Sequence, residues 1–343
     1  MKKTLIALAA VAATGAAMAQ SSVTLSGVID VGFEKRFSGD PFKMTPNRNG
    51  TSNWTLSGSE DLGGGLKANF QISTSFNADD GSIAAHTIND GLPSPAVTCP
   101  STTSRCNNTS SLGNNGMFVG LSGGFGTVRM GRPVNTLYGN ALFANGTKGV
   151  SNYDANTLLA RDIAGAANTV YVNNAIQYHS PRFSGVQVQL EYAPKESTSG
   201  KNGRGLAIRY DEGPISVTFT NYLGATSSTT QKSVNQLAAA YDFGVARVLF
   251  TWRDQGGAAS NADNSYALGM TAPVGPGLVY VSYNVRELAA TDARSVIAGY
   301  KYNLSKRTQM YVNVANGNSA LNVPGTTPAK SSTGYGFGLQ HNF

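Results

Sequence analysis

Apolar and polar residues alternate one by one along most of this chain. Val23, Leu25, Ile29, Val31 and Phe33 share one face, and Thr24, Ser26, Asp30 and Gly32 the other. A period of two marks a strand with unlike faces. Followed through, the pattern predicts sixteen strands, at about 23–33, 53–57, 66–76, 116–121, 127–132, 172–178, 186–192, 205–210, 215–222, 234–241, 245–253, 265–271, 278–286, 295–302, 309–315 and 334–343. Tight turns rich in Gly and Pro, such as Asp211-Glu-Gly-Pro214, alternate with longer polar connections, the signature of successive hairpins. Parity stays open at Met117, Phe118 and Val119, which are all apolar.

The rhythm fails once. From Arg132 to about Val170 nearly forty residues pass without alternation, and connections that long are functional or disordered. The stretch carries apolar anchors (Leu137, Tyr138, Leu142, Phe143, Tyr153, Leu158, Leu159) and charges of both signs (Lys148, Asp154, Arg161, Asp162), which predicts an ordered segment packed against a surface.

The polar faces decide the architecture. They offer Gln187, Gln189 and Glu191, then Ser216, Thr218 and Thr220, then Arg247, Thr251 and Arg253, then Ser282, Asn284 and Arg286, with Asn313, Gln340 and Asn342. A dry core would leave such groups unsatisfied at a cost of about 1–3 kcal/mol each. Water therefore fills the space they enclose, and the apolar faces meet lipid. Strand lengths suit a tilted membrane crossing, and Phe33, Tyr178, Tyr192, Tyr210, Tyr241, Trp252 and Tyr302 sit near strand ends where an interfacial girdle lies. An even strand count lets the last strand pair with the first and removes the edges. The expectation is an all-β fold: one 16-stranded antiparallel transmembrane β-barrel with an aqueous lumen.

Composition adds a little. Lys2-Lys3, the apolar run Leu5 to Ala13 and Ala17-Met-Ala19 predict a signal peptide at 1–19, with the barrel domain at 20–343. Its removal lowers the formal charge from +7 to +5, because both charges lost are lysines. No Lys/Arg cluster suggests a nucleic-acid partner. Cys99 and Cys106 are close together in a polar loop; in an oxidising compartment they are expected to form a disulfide. Asp30 and Asp79-Asp80-Gly81 could ligate calcium, but such acidic residues ordinarily make turns, and no metal or cofactor is expected. His86, His179 and His341 show no spacing that suggests a catalytic triad; a phospholipase is the enzymatic rival, and no enzyme activity is expected.

Four stretches carry a family likeness: Glu60-Asp-Leu-Gly-Gly-Gly-Leu-Lys67, Gly120-Leu-Ser-Gly-Gly-Phe-Gly-Thr-Val-Arg-Met-Gly-Arg132, Asn303-Leu-Ser-Lys-Arg-Thr308 and Gly338-Leu-Gln-His-Asn-Phe343. In order and spacing they resemble the trimeric general porins of the Gram-negative outer membrane, in particular the beta-proteobacterial branch. The resemblance implies a homotrimer in outer-membrane lipid that passes small hydrophilic solutes and ions by diffusion. It implies that the third external loop, here about 133–170, folds into the lumen and narrows it. A terminal Phe such as Phe343 resembles the signal read by the outer-membrane insertion machinery. The family places arginines on the wall facing that loop, and the matching positions here are Asn53, Asn115 and Tyr171. Arg129 and Arg132, near the loop's root, become the candidates for the basic side of the constriction, opposite Asp154 or Asp162. Arg132 has an equal claim to a purely structural role in tying down the loop's first turn. Arg247, Arg253 and Arg286 are the candidates for the pore wall.

Overall fold

The computed structural model describes residues 21–35, 41–83, 112–144, 170–195, 200–224, 233–254, 262–288, 292–318 and 332–343. The signal-peptide segment, Cys99, Cys106, Lys148, Asp154, Arg161 and Asp162 lie outside them.

Sixteen antiparallel strands circle the barrel. They are β1 (Ser22–Lys35), β3 (Asn53–Gly63), β4 (Leu66–Ser75), β5 (Met117–Gly123), β6 (Gly126–Arg132), β7 (Ala175–His179), β8 (Val186–Ala193), β9 (Gly203–Glu212), β10 (Ile215–Leu223), β11 (Val234–Asp242), β12 (Arg247–Asp254), β13 (Ala262–Val274), β14 (Gly277–Leu288), β15 (Ala293–Asn303), β16 (Thr308–Gly317) and β17 (Ser332–Asn342). Each pairs with its neighbour in sequence, and β17 returns to β1 with Val31 opposite Leu339 and Phe33 opposite Phe337. The count and the closure agree with the alternation read from the sequence.

One short strand was not expected. β2 (Lys43–Pro46) pairs with the upper half of β1, and β3 pairs with the lower half. Between them residues 47–52 leave the sheet. Gly50 N (2.6 Å) and Asn49 N donate to the Asp30 carboxylate, and Ser52 Oγ accepts from Asp30 N at 3.0 Å. Tyr311, from β16, donates to Asp30 Oδ1 at 2.6 Å. To reach it the ring lies across Gly338 and Gly32; a Cβ there would come within 2.3 and 2.7 Å of the phenol oxygen. The Asp30 oxygens are thus engaged by the protein's own donors. Asp80 accepts from Ser82 N and Oγ, a turn in itself.

The two faces of the sheet are inverted relative to a soluble protein. On β16, Met310, Val312 and Val314 are about half exposed on the outside, while Asn313 between them is 7% exposed. The same contrast holds on β8, where Leu190 is exposed beside buried Gln189 and Glu191. Aromatic rings border the outward apolar band at both rims. Phe33, Phe42, Tyr335 and Phe337 cluster at the long-loop end, with ring centroids 5.7–6.1 Å apart. Tyr241 with Phe243 and Tyr300 with Tyr302 mark the turn end. Among the described residues no helix is long and apolar enough to cross a membrane; crossing is by strands.

Candidate functional site in the barrel interior

The long third connection enters the barrel. Above Gly131 and Ala175 its two arms stay paired, with Val172 N on Pro133 O (3.0 Å) and Asn135 N on Val170 O (2.9 Å), and they lead to a helix, α1 (Thr136–Ala144). Asn135 caps it, its Oδ1 accepting from Tyr138 N at 2.7 Å. The first amide, Thr136 N, instead donates to Glu191 Oε2 on β8 (2.8 Å), joined there by Thr136 Oγ1 (2.9 Å) and Gln177 Nε2 (2.7 Å). A buried carboxylate at a helix N-terminus meets both the unpaired amides and the positive end of the dipole. Further along, Asn140 Nδ2 donates to Gln189 Oε1 (3.0 Å) and Gln236 Nε2 to Leu137 O (3.4 Å), while Leu137 packs with Tyr222 and Val234. Gly205 leaves room for the helix, because a Cβ there would meet Thr136 Cβ at 3.0 Å. The helix therefore lies on the inner wall formed by β8 to β12.

The three positions where the resemblance leads one to look for arginines are joined in one hydrogen-bonded chain. Tyr171 Oη donates to Asn115 Oδ1 (2.6 Å), Asn115 Nδ2 to Ser73 Oγ (2.9 Å), Ser73 bonds Thr55 (2.7 Å), and Thr55 Oγ1 donates to Asn53 Oδ1 (3.1 Å). Burial pushes the Tyr171 phenol up to about 12, so at neutral pH it is the protonated donor that starts the chain. This part of the wall is an uncharged relay of amides and hydroxyls.

Arg129 and Arg132 are engaged elsewhere. Arg129 donates to Gln177 Oε1 (2.8 Å), lies 3.0 Å from His179 Nε2, and stacks over the Phe118 ring at 5.2 Å. That contact resolves the parity of β5: Phe118 faces inward with Arg129, and Met117 and Val119 face outward. Arg132 donates to Asn173 Oδ1 and to Asn114 O (3.4 Å), with its guanidinium 5.3 Å from the Tyr171 ring. It ties the returning arm of the loop to the wall.

Arg247, Arg253 and Arg286 all face inward. Arg253 does not border open water, because α1 lies over β12: it is 1% exposed, and its Nε and Nη2 donate to Gln236 Oε1 (3.1 and 2.5 Å). Arg286 shares its row across Ser265, and Arg247 reaches Ser216 Oγ at 3.4 Å near the turn end. Phe343 seals the lower seam. Its backbone exchanges two hydrogen bonds with Gly27 (3.0 Å each), and its ring occupies the space a Cβ at Gly27 would need.

Alternation places Glu191 on the inward face but does not mark it as the anchor of the loop helix, and it does not single out Gln177 at all. Asn135-Thr136 directly after Pro133 is a helix-start signal that could have pointed to α1; nothing local identifies Glu191 as its partner. Among the described residues no cluster of His, Cys, Asp and Glu could hold a metal ion.

Residues 4–320 match the family model described as Gram-negative porin. The chain is 33% identical to outer membrane porin protein 32 of Delftia acidovorans, with 100% of both chains covered. It is 28% identical to major outer membrane protein P.IB of Neisseria gonorrhoeae over 91% of this chain and 92% of that one. Among solved structures, an anion-selective porin from Comamonas acidovorans superposes with a TM-score of 0.72 at 29% identity, covering 94% of this chain and 100% of that one. OmpT of Vibrio cholerae superposes with a TM-score of 0.64 at 13% identity, covering 95% of this chain and 100% of that one, a likeness of fold alone.

Proposed function

The chain belongs to the Gram-negative porin family, and from that premise we infer how its channel is narrowed and which ions it favours. It is an outer-membrane porin: a water-filled barrel through which small hydrophilic solutes and ions pass by diffusion. It belongs to a family of channels, not of enzymes, and we assign it no catalytic role.

In this reading the loop at about 133–170 forms the constriction. The observation that carries it is α1, held against the inner wall by Glu191. The channel prefers anions mildly. Lys67, Arg129, Arg209, Arg247, Arg253, Arg286 and Lys301 face inward against Asp30, Glu34, Asp61, Glu191, Asp211 and Asp242, and Arg48 pairs with Glu34 (3.2 Å). The excess of cations is small, and the neutral relay from Tyr171 to Asn53 adds no charge. The similar Comamonas protein is described as anion-selective; here the preference is weaker for want of the wall arginines. Charges in an aqueous lumen are screened over about 10 Å at 0.1 M salt. The zero-current potential across a salt gradient therefore has the anion sign at low ionic strength and shrinks at high ionic strength. A cation-signed potential at low salt would overturn the reading.

The assembly is a homotrimer. In support, a cavity of about 600 Å³ opens on the outer face beside the loop root, lined by Phe70, Ile72, Met117, Val119 and Met130, and a neighbouring copy would fill it. Phe343 serves as the assembly signal for the insertion machinery.

A further inference from the structure

At the turn end of the lumen, away from the inserted helix, a second polar hollow of about 340 Å³ is lined by Lys67, Ser122, Thr127, Arg182 and Gln187. We propose that it is a binding site for a small oxyanion, phosphate or sulfate, at the periplasmic mouth of the channel. The donors point that way. Lys67 Nζ and Thr127 Oγ1 make no hydrogen bond or ion pair among the described residues. Ser122 Oγ accepts from Asn69 Nδ2 (2.9 Å), which leaves its own proton to give. Arg182 spends only Nη1, on Asp211 O (3.3 Å) and Oδ2 (3.1 Å), so Nε and Nη2 remain.

The acceptors near the hollow are already engaged. Asp211 takes Arg182, Arg209 (3.2 Å) and Ser216 (2.9 Å), so one carboxylate is shared by two guanidinium groups and a net positive charge is left. Asp61 sits opposite Lys67 in the β3–β4 register but turns Oδ1 to Gly63 N (2.9 Å) and forms no ion pair with the lysine. A planar fork, an ammonium and two hydroxyls facing one hollow, with Gln187 Oε1 already accepting from Gln189 Nε2 (3.1 Å), match a tetrahedral anion with several acceptor oxygens. The short turns of a barrel of this kind face the periplasm, so the site meets solutes as they leave the constriction. It rests on the channel itself and not on the overall ion preference.

The test is single-channel conductance of the intact porin in planar bilayers, measured over rising concentrations of potassium phosphate and of potassium chloride. Phosphate current is expected to saturate while chloride current rises in proportion. In Lys67→Gln/Arg182→Gln the half-saturating phosphate concentration rises about tenfold, the loss of roughly one charge-assisted contact. Lys67→Arg/Arg182→Lys, which keeps both charges, keeps the saturation. Linear phosphate current in the unaltered protein would overturn the site. So would a Gln double variant that lowers phosphate and chloride currents in the same proportion, since only the general field would then have changed. The zero-current potential reads that field separately, so the overall preference and the site can fail independently.

Discussion

Replacing Glu191 by Leu removes the one carboxylate that holds the start of α1. Four donors lose their acceptor: Thr136 N, Thr136 Oγ1, Gln177 Nε2 and the buried Tyr222 hydroxyl. They do not suffer equally. Gln177 keeps Val134 O at 2.7 Å, and the Thr136 hydroxyl can turn, but the Thr136 amide is fixed by the helix and stays buried. A buried orphan donor costs about 1–3 kcal/mol, and each relieved bond about 0.5–1.5 kcal/mol. The lost charge at the helix N-terminus adds up to about 1 kcal/mol. The anchor is therefore weakened by about 2–5 kcal/mol. A middle value of about 3 kcal/mol moves the docked-to-released equilibrium of the loop roughly a hundredfold. The bonds at Gln189 and Gln236 survive, so the helix samples released positions instead of leaving the lumen for good. Single-channel recordings are expected to show larger, noisier openings with substates, and vesicle swelling is expected to admit larger sugars. Glu191→Gln keeps an oxygen for Thr136 and should lie between. A Leu variant that folds, as read from heat-modifiable mobility, yet shows unaltered conductance and noise would refute the assignment of the bore to α1.

Two further outcomes follow from the same geometry. Tyr171 has a folded value near 12 against 10.0 unfolded, so the unfolded chain loses this proton first. Stability therefore falls as pH rises from about 10 and levels off above about 12. Tyr171→Phe should remove only its own share of that alkaline loss in a titration of barrel unfolding, because the phenols of Tyr222, Tyr280 and Tyr311 are buried too; a titration left unchanged by the substitution would remove Tyr171 as a contributor. Phe343→Ala and Gly27→Leu should both lower the yield of folded barrel in vesicles, the first by emptying the space beside Gly27 and the second by forcing a side chain into the space the ring fills. Normal yields from both would remove Phe343 as an assembly signal.

Strands were legible in the sequence wherever one side chain in two met lipid. The signal failed where that rule was locally suspended. At Phe118 an apolar ring faces the lumen because Arg129 stacks on it, so three apolar residues in a row hid the parity. β2 is four residues long, and its partner was already counted as the mate of β3. β3 itself runs through Glu60-Asp61 to Gly63, where a run of glycines reads as a turn. The interior was only half legible. Inward residues such as Gln189, Thr218 and Asn284 follow from parity alone. Whether an inward arginine meets water does not: Arg253 is covered by a helix that shows no apolar stripe, since α1 packs on amides, a carboxylate and a tyrosine together. Its position is set by Glu191 and Gln236, residues far along the chain, and no local window contains them.

The knot at Asp30 bears on how such a barrel comes into being. Its carboxylate is satisfied by a turn close by and by a tyrosine 281 residues away. A chain with fourteen strands in place can form most of the other contacts described above and still leave this one half made. Only when the last two strands arrive does the ring lie down across its two glycines and complete the set. The contact is therefore a record of completion, silent about every earlier stage. It also ties the oldest and youngest parts of the nascent chain from the inside, where lipid cannot compete for them.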